Sequence, residues 1–436
     1  MSGKSGMRNS GSGIAVRGGA EKCGMRNSEC GIGAVNSEFR IPHSELTKVR
    51  LGDVAEEVRE NWNGETKGTP IVGLEHLEPD EITLRKWEIN PTENTFTKAF
   101  RKGQLLFGRR RAYQKKLSLA PSDGICSGDI TVIAAKSDKV VPSLLPFLLR
   151  TDKFFDYAIQ GSAGSLSPRV KWAHLAKYEF DLPPLSRQRK LADLLWAAND
   201  LKEAYKKAIT ATDEMLKAKF NAKFGMRNAE LSDGSREGTE SQGKWPAVKF
   251  EDLCVIGPQN GFYKKGVENN GTVRVLKMTQ LFAYECMEEA TDCDMWAVDE
   301  SDLSKFKLTP NDLVFGRRSL VPEGAGKCRR VGNIKEDIIF ESSMIRATID
   351  TSKALPRYIQ LWTESVDGEN AMAQMRSGTT VFGIRGSELK ALKIPLPPLS
   401  LQREFVAIAD KAESAKANLK KSIAAIDQVM KGLING

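Results

Sequence analysis

The sequence predicts an α+β fold built twice: two tandem mixed α/β-type domains, each followed by one long helix, in a chain of 436 residues. Three observations predict it. Distinct segments recur in the same order about two hundred residues further on. Each copy ends in Leu-Pro-Pro-Leu-Ser, and the segment after each Ser repeats apolar residues in alternating steps of three and four.

Gly24-Met-Arg-Asn27 returns as Gly225-Met-Arg-Asn228, and VRLGDV at 49–54 returns as VKFEDL at 248–253. LLFGRRR at 105–111 returns as LVFGRRS at 313–319, and LPPLSRQR at 182–189 as LPPLSLQR at 396–403. The spacing drifts a little from pair to pair, as it does when loops of different length enter one ancestral unit. The organisation expected is a low-complexity Gly/Ser/Asn tail over 1–46, a mixed domain over 47–184, a helix over 185–224, a linker over 225–245, a second mixed domain over 246–398 and a second helix over 399–434.

Within the mixed domains, short runs such as GDITVI from Gly128 and SMIRATI from Ser343 read as strands punctuated by Gly and Pro. The proline pairs at 183–184 and 397–398 forbid helix, and Ser186 and Ser400 are good N-caps. The first helix then carries Leu191, Leu194, Ala198, Leu201, Tyr205, Ala208, Thr212 and Met215 on one stripe. The second carries Phe405, Ile408, Ala412, Ala415, Leu419, Ser422, Ile426, Val429 and Leu433. Both stripes predict helix pairing through a coiled-coil seam. A helix of this length spans ~58 Å at 1.5 Å per residue, which bounds its reach along a duplex to about 17 base pairs.

Composition excludes several classes. The chain is 40% hydrophobic and 28% charged, ordinary for a globular protein. Its longest apolar run, Leu144 to Leu149, falls far short of the ~20 residues of a membrane span. No signal-peptide pattern opens the sequence, so a cytoplasmic location is expected. Seven cysteines without a CxxC pair predict reduced thiols, and three histidines (His43, His76, His174) make a structural zinc site improbable.

The net charge is +9. Lys98, Arg101, Lys102, Arg109, Arg110, Arg111, Lys115 and Lys116 fall in one run without an acid, and a second concentration extends from Lys305 to Lys335. Two basic runs in the middle of two repeats point to a polyanion. No phosphate-cradling Gly-x-x-x-x-Gly-Lys-Ser/Thr loop, no Asn-Pro-Pro-Tyr/Phe base-flipping tetrapeptide and no repeated histidine is present, so a binding protein is the simplest reading. Two alternatives stay open: a single-chain nuclease or methyltransferase carrying its own recognition domains, and a coiled-coil protein scaffold.

Two copies of FGR(R), Gly-rich segments at Gly161-Ser-Ala-Gly-Ser165 and Gln374-Met-Arg-Ser-Gly378, and LPPLSxQR opening a long helix twice give the chain a specific resemblance. It resembles the specificity subunits of type I restriction-modification systems over residues 47–434. The resemblance implies that each mixed domain is a target recognition domain reading half of a split DNA site. It further implies that the helices form an antiparallel coiled coil with a pseudo-twofold internal repeat, and that the chain itself is not an enzyme. The implied partners are double-stranded DNA, methyltransferase (modification) subunits and restriction/translocase subunits. S-adenosylmethionine, ATP and Mg would serve those partner subunits, with no cofactor or metal in this chain. The DNA-binding residues expected are the eight basic residues of the first run with Tyr113, and Arg317, Arg318, Lys327, Arg329 and Arg330 in the second domain. Arg109 and Arg317, matched between repeats, are expected to position the backbone or hold a salt bridge rather than read bases.

Overall fold

A computed structural model describes residues 45–89, 94–225, 245–263, 271–289 and 292–435. The tail expected over 1–46 lies outside them but for its last two residues, and the linker expected over 225–245 but for its two ends. The chain divides into two compact units, Met1–Leu201 with Ala424–Gly436, and Lys202–Ile423.

In unit 1 the Phe-Gly-Arg strand, Leu105–Gly108, lies inside a four-stranded antiparallel sheet, between Ile130–Ala135 and Leu117–Leu119, with Ala55–Val58 on the outer edge. In unit 2 Asp312–Gly316 lies between Met344–Ile349 and Cys328–Arg330, with Cys254–Asn260 on the edge. The register is the same: Phe107 stands opposite Thr131 and Phe315 opposite Ile345. The unbroken apolar run in each copy follows from burial on both faces. Leu105 and Phe107 enter one core and Leu106 another, while Leu313 and Phe315 enter one and Val314 another. A further sheet covers the second face in each unit, built around Pro70–Val72 and Gly124–Cys126 in unit 1 and around Val273–Leu276 and Ile338–Phe340 in unit 2.

Each mixed region is closed by its own ends. Thr47–Arg50 pairs antiparallel with Glu179–Leu182, and Ala247–Lys249 with Lys393–Pro395. The prolines then end the strand, and the two long helices begin: α1, Leu185–Phe224, and α2, Leu399–Asn435.

The glutamine of LPPLSxQ does the same work in both units. Gln188 is 1% exposed; its Oε1 accepts from Val141 N (2.8 Å), and its Nε2 donates to Pro183 O (2.8 Å) and Lys139 O (3.4 Å). Gln402 is 0% exposed; it accepts from Leu355 N (2.9 Å) and donates to Pro397 O (2.8 Å) and Lys353 O (3.4 Å). One buried side chain in the first helical turn thus bonds three backbone groups, one buried and two half-buried, and pins the helix start to a loop of the mixed domain.

Packing of the helices corrects the expected stripe by one residue at five of its seventeen positions. Leu191, Ala198, Tyr205 and Thr212, with Phe405, Ala412, Leu419 and Ile426, are buried or half-buried, and so are Leu194, Ser422, Val429 and Leu433. Leu201 (44% exposed), Met215 (43%), Ala208, Ile408 and Ala415 instead face outward. The inward positions are their successors: Lys202, Ile209 and Leu216 in α1, Ala409 and Lys416 in α2. Asn199 and Glu203 are buried as well. A count of apolar residues chose Leu201 and Met215 because it passes over lysine, asparagine and glutamate, whose stems cover apolar surface while the heads find partners. Lys416 Nζ meets Asp213 in this way.

Within unit 1, Leu191, Ala192 and Leu195 of α1 share a core with Met430 of α2. Within unit 2, Leu216, Phe220 and Phe224 of α1 share a core with Phe405 and Ala409 of α2, with Phe220 and Phe405 ring centroids 5.3 Å apart. No helix among the described residues is long and apolar enough to cross a membrane.

Candidate nucleic-acid interface

Where each Phe-Gly-Arg strand ends, its arginine backbone ties three segments together. Arg109 N donates to Asp129 O (3.0 Å) and Arg109 O accepts from Val170 N (3.0 Å). Arg317 N donates to Ser343 O (2.7 Å) and Arg317 O accepts from Ile384 N (3.1 Å). The preceding glycines complete the joint, Gly108 N donating to Lys116 O and Gly316 N to Lys327 O, both at 2.9 Å.

The joint brings the Gly-rich segments to the arginine loops. In unit 1 the turn between Ser162–Ala163 and Arg169–Val170 passes Gly164 at φ +113°; in unit 2 the turn closed by Ser377 and Gly383 passes Gly378 at φ +104°. Both values lie in the region that favours glycine, so the recurring glycine is a requirement of the turn. Arg110 bridges Arg169, and Arg318 pairs with Gly383. Each unit therefore presents a tip of two adjacent loops. Tyr113 and Leu166 are exposed on the tip of unit 1, and Leu320, Val321 and Val381 on that of unit 2.

The expected basic residues divide into free and engaged groups. Arg111 is exposed and left-handed at φ 55°, and Arg318 is exposed with no side-chain hydrogen bond or ion pair among the described residues. Arg318 lines an open cleft with Arg317, Arg385 and Asn260. Arg110 is half-buried between Asp129 (3.4 Å) and Ser167 (2.9 Å). Arg109 is half-buried, its Nε without a partner among the described residues, and Arg317 donates to Ser342 O at 3.0 Å.

Other expected contacts are already occupied. Lys115 Nζ lies 2.6 Å from Asp152, and Lys116 Nζ donates to Leu74 O at 2.7 Å. Lys98 Nζ donates to Ile130 O, and burial pushes its pKa down. Arg101 pairs with Asp123 and stacks on Trp62; Lys102 gives only its backbone N to the same aspartate, and its exposed ammonium has no partner among the described residues. Lys327 is half-buried over the Phe282 ring.

Arg329 is the plainest correction. It is 6% exposed and bound to Glu364 at 2.7 Å and Glu285 at 3.5 Å, so it is an interior ion pair rather than a surface contact. A charge count along the chain cannot see a carboxylate 35 residues away that neutralises it. Arg330, half-buried, reaches Glu413 at 4.0 Å.

Arg169 escaped the sequence reading because it stands alone, outside both basic runs. Its only mark there is its place after the Gly-rich segment. Asp129 takes it side-on, with Nε to Oδ1 at 2.6 Å and Nη2 to Oδ2 at 3.2 Å. That guanidinium holds the Asp129 carboxyl below its usual range. No cluster of three metal-ligating side chains occurs among the described residues.

A family profile described as the type I restriction modification DNA specificity domain matches residues 242–428. Residues 242–428, most of which lie in unit 2, are thus similar to a type I DNA specificity domain. Unit 1 repeats this domain's sheet register, glutamine contacts and tip joint. The chain is similar to the type I restriction enzyme EcoKI specificity subunit of Escherichia coli K12, 23% identical over 280 residues, which cover 63% of this chain and 60% of that protein. It is also 20% identical over 418 residues to the MjaIX specificity subunit of Methanocaldococcus jannaschii, covering 91% and 93%. Among solved structures, the type I restriction-modification S subunit from M. genitalium superposes with TM-score 0.51 at 13% identity, covering 90% of this chain and 96% of that one. A chain from a structure on assembly and conformational transition of the type I R-M system gives TM-score 0.51 at 18%, covering 91% and 98%. These likenesses carry the fold of the specificity domain to the whole chain.

On this surface, Arg111→Ala and Arg318→Ala are each expected to flatten the dependence of log affinity on log salt by about 0.9, the share of one phosphate contact in B-form DNA. Lys115→Ala and Lys116→Ala should change it less, because Asp152 and Leu74 O already hold those ammonium groups. A salt titration by filter binding measures all four slopes. Unchanged slopes for both arginines would take the tips away from DNA.

Proposed function

We propose that the chain is the DNA sequence-recognition subunit of a type I restriction-modification complex. Each unit reads one half of a bipartite site, and methylation and cleavage are performed by modification and restriction/translocase subunits, which supply the sites for S-adenosylmethionine, ATP and Mg. The observation that carries the reading is the same two-loop, arginine-bearing tip, built twice on the same sheet register. Basic side chains provide affinity and register on the phosphates, and side chains at the tips reach base edges.

The mixed regions 47–184 and 246–398 would be the two target recognition domains. The opposed ends of α1 and α2 that share a core in each unit support an antiparallel pairing, and such a pair would hold the two half-sites a set distance apart with unread base pairs between them.

The test uses the full chain with its modification partner and S-adenosylmethionine on genomic DNA. Adenine methylation at a split sequence is expected, and none from the chain alone. Methylation by the chain alone, or an unsplit recognised sequence, would overturn the reading.

A further inference from the structure

The two tips share a backbone and differ in one electrostatic device. Matching hydrogen bonds align Asp129 with Ser343, Arg110 with Arg318 and Arg169 with Gly383. Unit 1 therefore carries a carboxylate and two arginines where unit 2 carries a hydroxyl, one free arginine and a glycine.

A guanidinium has two flat donor edges. In Arg169 the side-on edge, Nε and Nη2, is taken by Asp129 at 2.6 and 3.2 Å, which leaves the Nη1/Nη2 end-on edge without a further partner among the described residues. The side chain is 45% exposed while Asp129 is 20% exposed, so the free edge is the outer one. Arg110 braces the same carboxylate from the other side and reaches Ser167 in the Gly-rich turn, fixing the loop that carries Arg169. An arginine held in this way has lost most of its rotamer freedom before it meets a ligand. Its free edge presents two parallel N–H donors, the pattern that guanine O6 and N7 accept in the major groove.

We propose that Arg169 is a specificity-determining residue of unit 1 that reads a guanine, and that Asp129 is its positioning residue. The inference rests on the proposed DNA-reading function and adds which residue reads which kind of base. It also makes the two units unlike readers, since Gly383 can offer no such donor pair in unit 2.

The test selects bound sequences from a randomised duplex pool with the full chain, comparing wild type with Arg169→Ala, Arg169→Lys and Asp129→Asn. Wild type is expected to enrich two half-patterns. Arg169→Ala should lower the preference for a single G·C pair in one of them by roughly 5- to 150-fold, the range of one bidentate base contact. Arg169→Lys keeps the charge and the loop but lacks the fork, and it should lose the same preference. Asp129→Asn should weaken that position in part, and the other half-pattern should stay as it was in every variant. Preferences left intact by Arg169→Lys, or one half-pattern blurred evenly at all positions, would reduce the Arg169–Asp129 pair to a loop clamp and overturn the inference. Absence of any half-pattern with the wild-type chain would instead overturn the DNA-reading function beneath it.

Discussion

Gln402→Leu is expected to destabilise the chain by about 3 kcal/mol or more, a larger loss than from any substitution of an exposed tip arginine. Leucine has nearly the volume of glutamine, so little of the effect comes from a cavity. What is lost is the partner of Leu355 N, Pro397 O and Lys353 O around a side chain that solvent does not reach; an abandoned buried group costs about 1–3 kcal/mol, and the half-buried Leu355 N and Lys353 O add less each. Gln188→Leu removes the matching bonds in unit 1 and should cost a similar amount. The two share no partner, so the double variant is expected to lose close to the sum. Gln402→Glu makes the sharper test. Ionised, its carboxylate faces two carbonyl oxygens that the amide had donated to, so the folded state favours the protonated acid and raises its pKa above the unfolded value. The stability of this variant should therefore rise as pH falls through that raised pKa, while that of Gln402→Leu should show no such gain. Denaturant unfolding followed by circular dichroism at several pH values measures both; a loss below about 1 kcal/mol in Gln402→Leu would mean that the helix start is held by its apolar contacts alone.

These glutamines show what the sequence made legible and what it did not. The repeat exposes Leu-Pro-Pro-Leu-Ser-x-Gln twice, and the prolines announce a strand ending in a helix. The helices start at Leu185 and Leu399, so that Ser186 and Ser400, expected as N-caps, lie inside the first turn. The glutamine itself reads as a surface residue of a first turn, because its three partners are backbone atoms and backbone has no letter in the sequence. The seam slipped for a related reason: Lys202, Lys416, Asn199 and Glu203 turn inward, Lys416 paired with Asp213 and Glu203 with Lys206, and apolar counting prefers Leu201 and Met215 one position earlier. The basic runs located both tips, since FGR(R) sits at the joint in each. They could not separate Arg329, neutralised inside the fold by Glu364, from Arg318, which stands free among the described residues. Arg169 becomes visible only when the Gly-rich turn is folded against the arginine loop, placing it on Asp129 across 40 residues of sequence.

Exchanging residues 47–182 for the corresponding region of a homologue is expected to replace one half of the recognised sequence and leave the other half unchanged. The cut follows the structure: Thr47–Arg50 and Glu179–Leu182 are partners in one strand pair, so both must travel together. The graft also has to seat on α1, and the contacts that seat it make few demands on its side chains. Gln188 binds Val141 N and Lys139 O, and Trp196 Nε1 donates to Ser143 O at 2.8 Å, all backbone atoms that any chain of the same loop geometry supplies. The remaining requirements are apolar residues in the core that Leu191 and Leu195 share, as Leu144, Leu145 and Leu148 are now, and a ring to meet Trp196, as Phe147 does edge-on at 5.2 Å. A domain held by its backbone and a few apolar contacts can change its tip without disturbing its mount, whereas one held by specific ion pairs could not. Sequencing the adenines methylated by the chimaera with its modification partner decides the matter. A new first half beside the old second half is the expected result. Change in both halves would mean that the units do not read independently, and loss of all methylation by a chimaera that still melts cooperatively would mean that the mount depends on side chains of residues 47–182 that the backbone contacts do not replace.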